Sequence, residues 1–107
     1  MFSIDNRMKI QLTKEDTATF YCTITDLDEN SRAPEEGDTL TMTIFSDEVY
    51  VQKEATINNN QWLFTIDSSD TDTMVPTIYL YNIKLTNSAG SKYTVIDNSV
   101  FELLGGN

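Results

Sequence analysis

The chain has 107 residues, 39% hydrophobic and 22% charged, with seven basic and seventeen acidic side chains, no histidine and one cysteine. That length suits one domain with a core of its own, without a metal or disulfide, and those fractions exclude disorder. A net charge of −10 repels phosphate backbones and anionic lipid, so nucleic acid and membrane are excluded as partners and a basic protein is favoured.

The first ten residues lack an apolar run behind a basic start, so no secretory signal is expected, and no stretch reaches the length of a membrane span. Met8, Ile10 and Leu12 alternate with Arg7, Lys9, Gln11 and Thr13, which predicts a half-buried first strand. After the polar turn Lys14-Glu15-Asp16 comes a second, with Ala18, Phe20, Cys22 and Ile24 inward and Tyr21 among threonines outward. The short separation predicts that these two form an antiparallel hairpin. Residues 26–38 read as an acidic loop punctuated by Pro34 and Gly37. Residues 39–45 alternate again, with Leu40, Met42 and Ile44 inward.

Residues 49–56 read as a weaker strand whose Gln52-Lys53-Glu54 centre suits a sheet edge. Asn58-Asn59-Asn60 is a hairpin turn, because asparagine tolerates a left-handed backbone. Trp62, Phe64 and Ile66 then share one face of residues 61–66, and the polar stretch 67–74 has room for a single helical turn. Residues 77–85 (Thr-Ile-Tyr-Leu-Tyr-Asn-Ile-Lys-Leu) are nearly all β-branched, aromatic or leucine. Tyr79, Tyr81, Ile83 and Leu85 point one way; Ile78 and Leu80 on the other side predict burial of the first half on both faces. This is the expected central strand. A turn around Gly90 leads into residues 92–96, Asp97-Asn98 reads as a bulge or corner before residues 100–104, and residues 105–107 form a loose tail.

About eight short strands, many threonines and no sustained helical period predict an all-β fold. The expected architecture is an Ig-like antiparallel β-sandwich formed by one domain over residues 1–107, with a small barrel as the alternative. Tyr79 or Tyr81, near the start of the penultimate strand, fits a sandwich corner residue whose hydroxyl bonds nearby backbone.

Without histidine, neither a Ser-His nor a Cys-His pair can be built, and no acid occupies an apolar strand position where burial raises its pKa. Cys22 reads as a small core hydrophobe. No enzyme and no cofactor are expected. Two loops, 67–72 and 26–30, are dense in oxygen ligands of the kind calcium accepts, but neither has the spacing of the twelve-residue calcium loop. Tyr21, Trp62 and Tyr93 are the candidate interaction residues; with the other tyrosines they would suit a platform for a carbohydrate or other ligand.

Three segments, in order, carry a resemblance: Ile10-Gln11-Leu12-Thr13-Lys14-Glu15-Asp16-Thr17-Ala18, Glu36-Gly37-Asp38-Thr39-Leu40, and Asp70-Thr71 followed by Ile78-Tyr79-Leu80-Tyr81-Asn82-Ile83-Lys84-Leu85. Together they resemble the N-terminal β-sandwich of bacteriophage baseplate upper proteins and related small structural proteins of phages and prophages of Gram-positive bacteria. Glu15 stands where that group usually has a glycine, and Asn82 where it usually has an aspartate. The resemblance implies a virion structural protein, or an attachment domain alone, made in the bacterial host cytoplasm and then carried in the tail or baseplate. Its implied partners are other phage structural proteins or copies of itself as a homo-oligomer, met through sheet faces and edges.

Overall fold

The tyrosine-rich strand is flanked on both sides. In the computed structural model, which describes residues 2–5, 7–25 and 31–105, β10 (Ile78–Thr86) pairs antiparallel with β6 (Thr39–Phe45) and with β11 (Lys92–Leu104). β7 (Tyr50–Glu54) closes one edge of this sheet. At the other edge β2 (Ile10–Thr13) runs parallel to the end of β11, and β1 (Phe2–Ile4) pairs antiparallel with β2. The order is β1-β2-β11-β10-β6-β7. A second sheet, β3-β9-β8, is built from β3 (Ala18–Cys22), β8 (Thr56–Asn58) and β9 (Gln61–Ile66). β4 (Ile24–Thr25) and β5 (Ser31–Arg32) form a small ribbon, and α1 (Ser68–Thr71) is the single helical turn.

The inner faces of the two sheets make one core. Leu40, Met42 and Ile44 of β6 and Tyr79, Tyr81, Ile83 and Leu85 of β10 pack with Trp62, Phe64 and Ile66 of β9. The alternation along each strand puts these residues on one side, and the sheets close over them because neither can bury its apolar face alone. The fold is therefore an all-β, immunoglobulin-like sandwich. β3, β9 and β8 take the B, E and D positions, while β6, β10, β11 and β7 take C, F, G and C′. Tyr79 is the corner residue: its hydroxyl donates to the Val75 carbonyl at 2.6 Å. Two residues on, where antibody domains carry the second half of their inter-sheet disulfide, stands fully buried Tyr81, whose hydroxyl donates to the Met8 carbonyl. Burial first, then the Cys22 thiol and the Asp5 carboxylate, push the Tyr81 hydroxyl up to about 12. Cys22 on β3 is buried, and burial pushes its thiol up to about 11, which makes it a poor nucleophile at neutral pH.

Residues 8–13 and 17–25 do not form a hairpin. β2 and β3 lie in different sheets, and the turn between them crosses the sandwich. Ile10 and Leu12 bury as well by facing β3 as by lying beside it, so alternation alone does not separate the two arrangements. Met8 is not inward; it sits in a turn at φ 64 and is 43% exposed. Ile78 and Leu80 are 59% and 40% exposed, because no described layer covers the outer face of the large sheet. Among the described residues eleven strands replace about eight. β1 and β5 are additional, the expected strand 17–25 divides at Thr23 into β3 and β4, the expected strand 49–56 divides at Ala55 into β7 and β8 of opposite sheets, and the expected strands 92–96 and 100–104 are one, β11, continuous through its bulges. The loop residues 26–30 lie outside the described residues. The edge position of β7, the Asn59-Asn60 turn at φ 53 and 61, and the helical turn after β9 follow the expectation.

The crossing turn holds Glu15 at φ 72, with its N–H donating to the buried Thr71 Oγ1 at 2.9 Å. A side chain in the left-handed region costs about 1–2 kcal/mol, a cost that glycine escapes. Glu15→Gly is therefore expected to raise stability by about 1 kcal/mol. An unchanged or lowered urea midpoint would show that this turn stores no strain.

Candidate functional site

The three candidate residues part company in the fold. Trp62 is 3% exposed, opposite Cys22 in the β3–β9 pairing, so its ring belongs to the core and offers no platform. That expectation is corrected: the alternation that aligned Trp62 with Phe64 and Ile66 already placed it inward. Tyr21 and Tyr93 are half exposed and far apart in sequence, yet both line one cavity of about 920 Å³ between the sheets. Its walls come from β3 and β4 on one side and the β10–β11 hairpin on the other, with Ile4, Asp5 and Met8 of the β1–β2 turn completing it. The β1 wall was not foreseen, because a three-residue strand carries too short a pattern to register.

The cavity is lined by runs of consecutive residues, 20–24 and 93–96. Successive side chains of a strand alternate faces, so an unbroken run means that the space lies along strand edges and meets their main chain. Among the described residues β3 has a strand neighbour only in β9, and β11 meets β2 only over its last four residues.

A second feature lies on the outer face of the large sheet. Leu80 pairs with Val100 on one side and Phe45 on the other, and Phe45 pairs with Tyr50. Residues directly opposite share a face, so Val100, Leu80, Phe45 and Tyr50 form an apolar row four strands wide, with Ile78 two residues along β10 from Leu80. Tyr50 and Ile78 are its most exposed members. The next row, Asn82, Thr43 and Gln52, is polar.

The acidic stretch 67–72 is occupied from within. Lys53 Nζ lies 2.9 Å from Asp70 and 3.9 Å from Asp67, and the Asp67 N–H donates to Asp70 at 2.8 Å. An ammonium placed there supplies the positive charge that calcium would bring. Among the described residues no group of three acids, cysteines or histidines converges.

Two carboxyls are held below their ordinary range. Asp5 accepts N–H groups from Lys9 (2.9 Å) and Arg7 (2.8 Å), the Lys9 bond having the larger effect. Glu102 accepts from Gln11 Nε2 at 2.7 Å and lies 3.5 Å from Lys9 Nζ. A carboxyl lowered on folding stabilises the fold fully above its unfolded-state pKa and loses that contribution as pH falls through the folded-state value. The urea midpoint is therefore expected to fall between about pH 5 and pH 3, and to fall less in Asp5→Asn and Glu102→Gln, which keep an acceptor oxygen. Profiles that superimpose with wild type would show that neither group carries the acid dependence.

No family model and no curated protein matches the sequence. A comparison with solved structures finds murine CRIg similar at 8% identity and a TM-score of 0.43, over 100% of this chain and 98% of that one.

Proposed function

We propose that this chain is a non-enzymatic structural protein of a phage or prophage particle, in the tail or baseplate, and that it acts by protein–protein contact. The observation that carries contact as the mode of action is the apolar row Val100, Leu80, Phe45 and Tyr50, open on the outer face of the large sheet. In a protein of net charge −10, with charged side chains available for any wet position, an exposed apolar stripe across four strands marks a surface that meets another protein. The stripe lies on strands held side by side in one hydrogen-bonded sheet, so docking there needs little ordering of the main chain. The phage setting rests on the three sequence segments that resemble baseplate sandwiches.

Proteomics of purified induced particles tests this reading. The chain is expected in the particle fraction, and Leu80→Glu, a substitution at a position 40% exposed, is expected to keep the melting temperature while removing the chain from particles. Absence of the wild-type chain from particles would sink the phage assignment. Incorporation of Leu80→Glu at wild-type level would sink the role of the stripe.

A further inference from the structure

The cavity between the sheets lies on a different surface from that stripe, and main-chain geometry indicates what it accepts. Asn87 N–H donates to the Ser91 carbonyl at 2.9 Å, closing the β10–β11 hairpin around Gly90 at φ 85. Bonded and non-bonded pairs alternate along an antiparallel ladder. Leu85–Tyr93 is thus a bonded pair and Lys84–Thr94 a non-bonded one. The N–H and C=O of Thr94 consequently point away from β10, towards the side where no described strand lies beside this part of β11. They face the same side as the cavity, whose floor is the apolar Phe20, Ile24, Ile83 and Ile96 and whose mouth is flanked by Tyr21 and Tyr93.

We propose that this groove accepts an extended segment of a basic partner protein, which pairs with the free edge of β11 at Thr94 and sends alternate apolar side chains into the cavity. An unpaired strand edge is satisfied by another main chain, and an apolar trough beside it selects a segment of period two. The register shifts on either side of Ile83 fall at Val95 and at Asp97-Asn98, so regular pairing runs over residues 92–94, a span of about 10 Å, or three incoming residues. The charge of the chain selects the source. A second copy would bring another −10 to a groove with the Asp5 carboxylate at its wall, whereas a segment with basic side chains on its outer face is attracted.

The probe is a fluorescein-labelled decapeptide of alternating valine and lysine, with an alternating serine and lysine peptide of equal charge beside it. The valine peptide is expected to bind at least tenfold more tightly than the serine peptide, and to slow hydrogen exchange of the Thr94 amide at least tenfold. Thr94→Pro, which removes the outward N–H without taking a bond from β10, is expected to weaken valine-peptide binding at least tenfold at unchanged melting temperature. If that variant does not fold, the exchange measurement on the wild-type chain decides. Equal binding of the two peptides would mean attraction by charge alone and would overturn the proposal, as would absence of binding. Protection at Leu80 and Tyr50 in place of Thr94 would also overturn it. So would protection of Thr94 that grows with protein concentration in the absence of peptide, which would assign the edge to a second copy.

Discussion

Phe64→Ala is expected to cost about 3–5 kcal/mol, a large part of the 5–15 kcal/mol that holds a typical domain. Phe64 is fully buried at the middle of β9, in the central strand of the smaller sheet. Its ring stacks on Phe20 at 5.5 Å, and Phe20 stacks on Phe2 at 5.5 Å. One column of rings thus joins β9 to β3 and to β1 at the edge of the other sheet. Truncation removes the inner member, and backbone pairing on both sides of β9 prevents the strands from moving in to fill the space. The melting temperature should drop by about 15–20 °C, and near-ultraviolet circular dichroism should weaken before the far-ultraviolet signal does. A loss under about 1.5 kcal/mol, the size of an Ile→Val change, would mean that the core repacks freely and that the ring column holds nothing together.

A single methyl group at Gly37 should be nearly as damaging. Gly37 has φ 86, and a Cβ built there would lie 2.5 Å from the Ser88 Cβ and 3.2 Å from its Cα. Gly37→Ala thus combines a left-handed alanine, about 1–2 kcal/mol, with a forced separation of two turns, about 1–3 kcal/mol. A total of about 2–5 kcal/mol is expected in urea unfolding. Gly90 provides the control: its φ is 85 but nothing lies within 4 Å of the added Cβ. Gly90→Ala should therefore cost only the backbone part, about 1–2 kcal/mol. Equal losses at the two positions would show that the turns around Gly37 and Ser88 part without resistance.

Gly37 also shapes the entry into β6. The Asp38 N–H donates to the Glu35 carbonyl, and the Asp38 carboxylate accepts the Glu35 N–H, so Gly37-Asp38 closes a tight turn immediately before β6. Glu15 likewise occupies a left-handed conformation, one that glycine would take without strain. Both positions are set by backbone geometry. They describe how a chain enters strands of this sandwich, and the choice of partner lies elsewhere.

Much of the architecture was legible because β-strands announce themselves by period. The inward sets Leu40, Met42, Ile44 and Trp62, Phe64, Ile66 are all buried, and the single turn of helix falls where the polar stretch left room for it. The tyrosine corner was legible to within two residues, since a hydroxyl on a penultimate strand needs a backbone acceptor and both Tyr79 and Tyr81 have one. Among the candidate contact residues, Tyr21 and Tyr93 stood out as aromatic side chains at strand positions, and both reach the surface. Trp62 was misplaced by its chemistry, although its period marked it as core.

Strand pairing was not legible, because it is a relation between segments and alternation is a property of one. Ile10 and Leu12 need an apolar surface opposite them and are equally satisfied by a neighbour in the same sheet or by the facing sheet. The chain alone sets which residues avoid water, where the backbone turns and how much charge the surface carries. Which strands adjoin follows from closing two sheets over one core, and that closure leaves the Val100–Tyr50 row uncovered and brings Tyr21 beside Tyr93. Both surfaces exist only once residues distant in sequence are brought together, since burial is decided locally and adjacency by the packing of the whole.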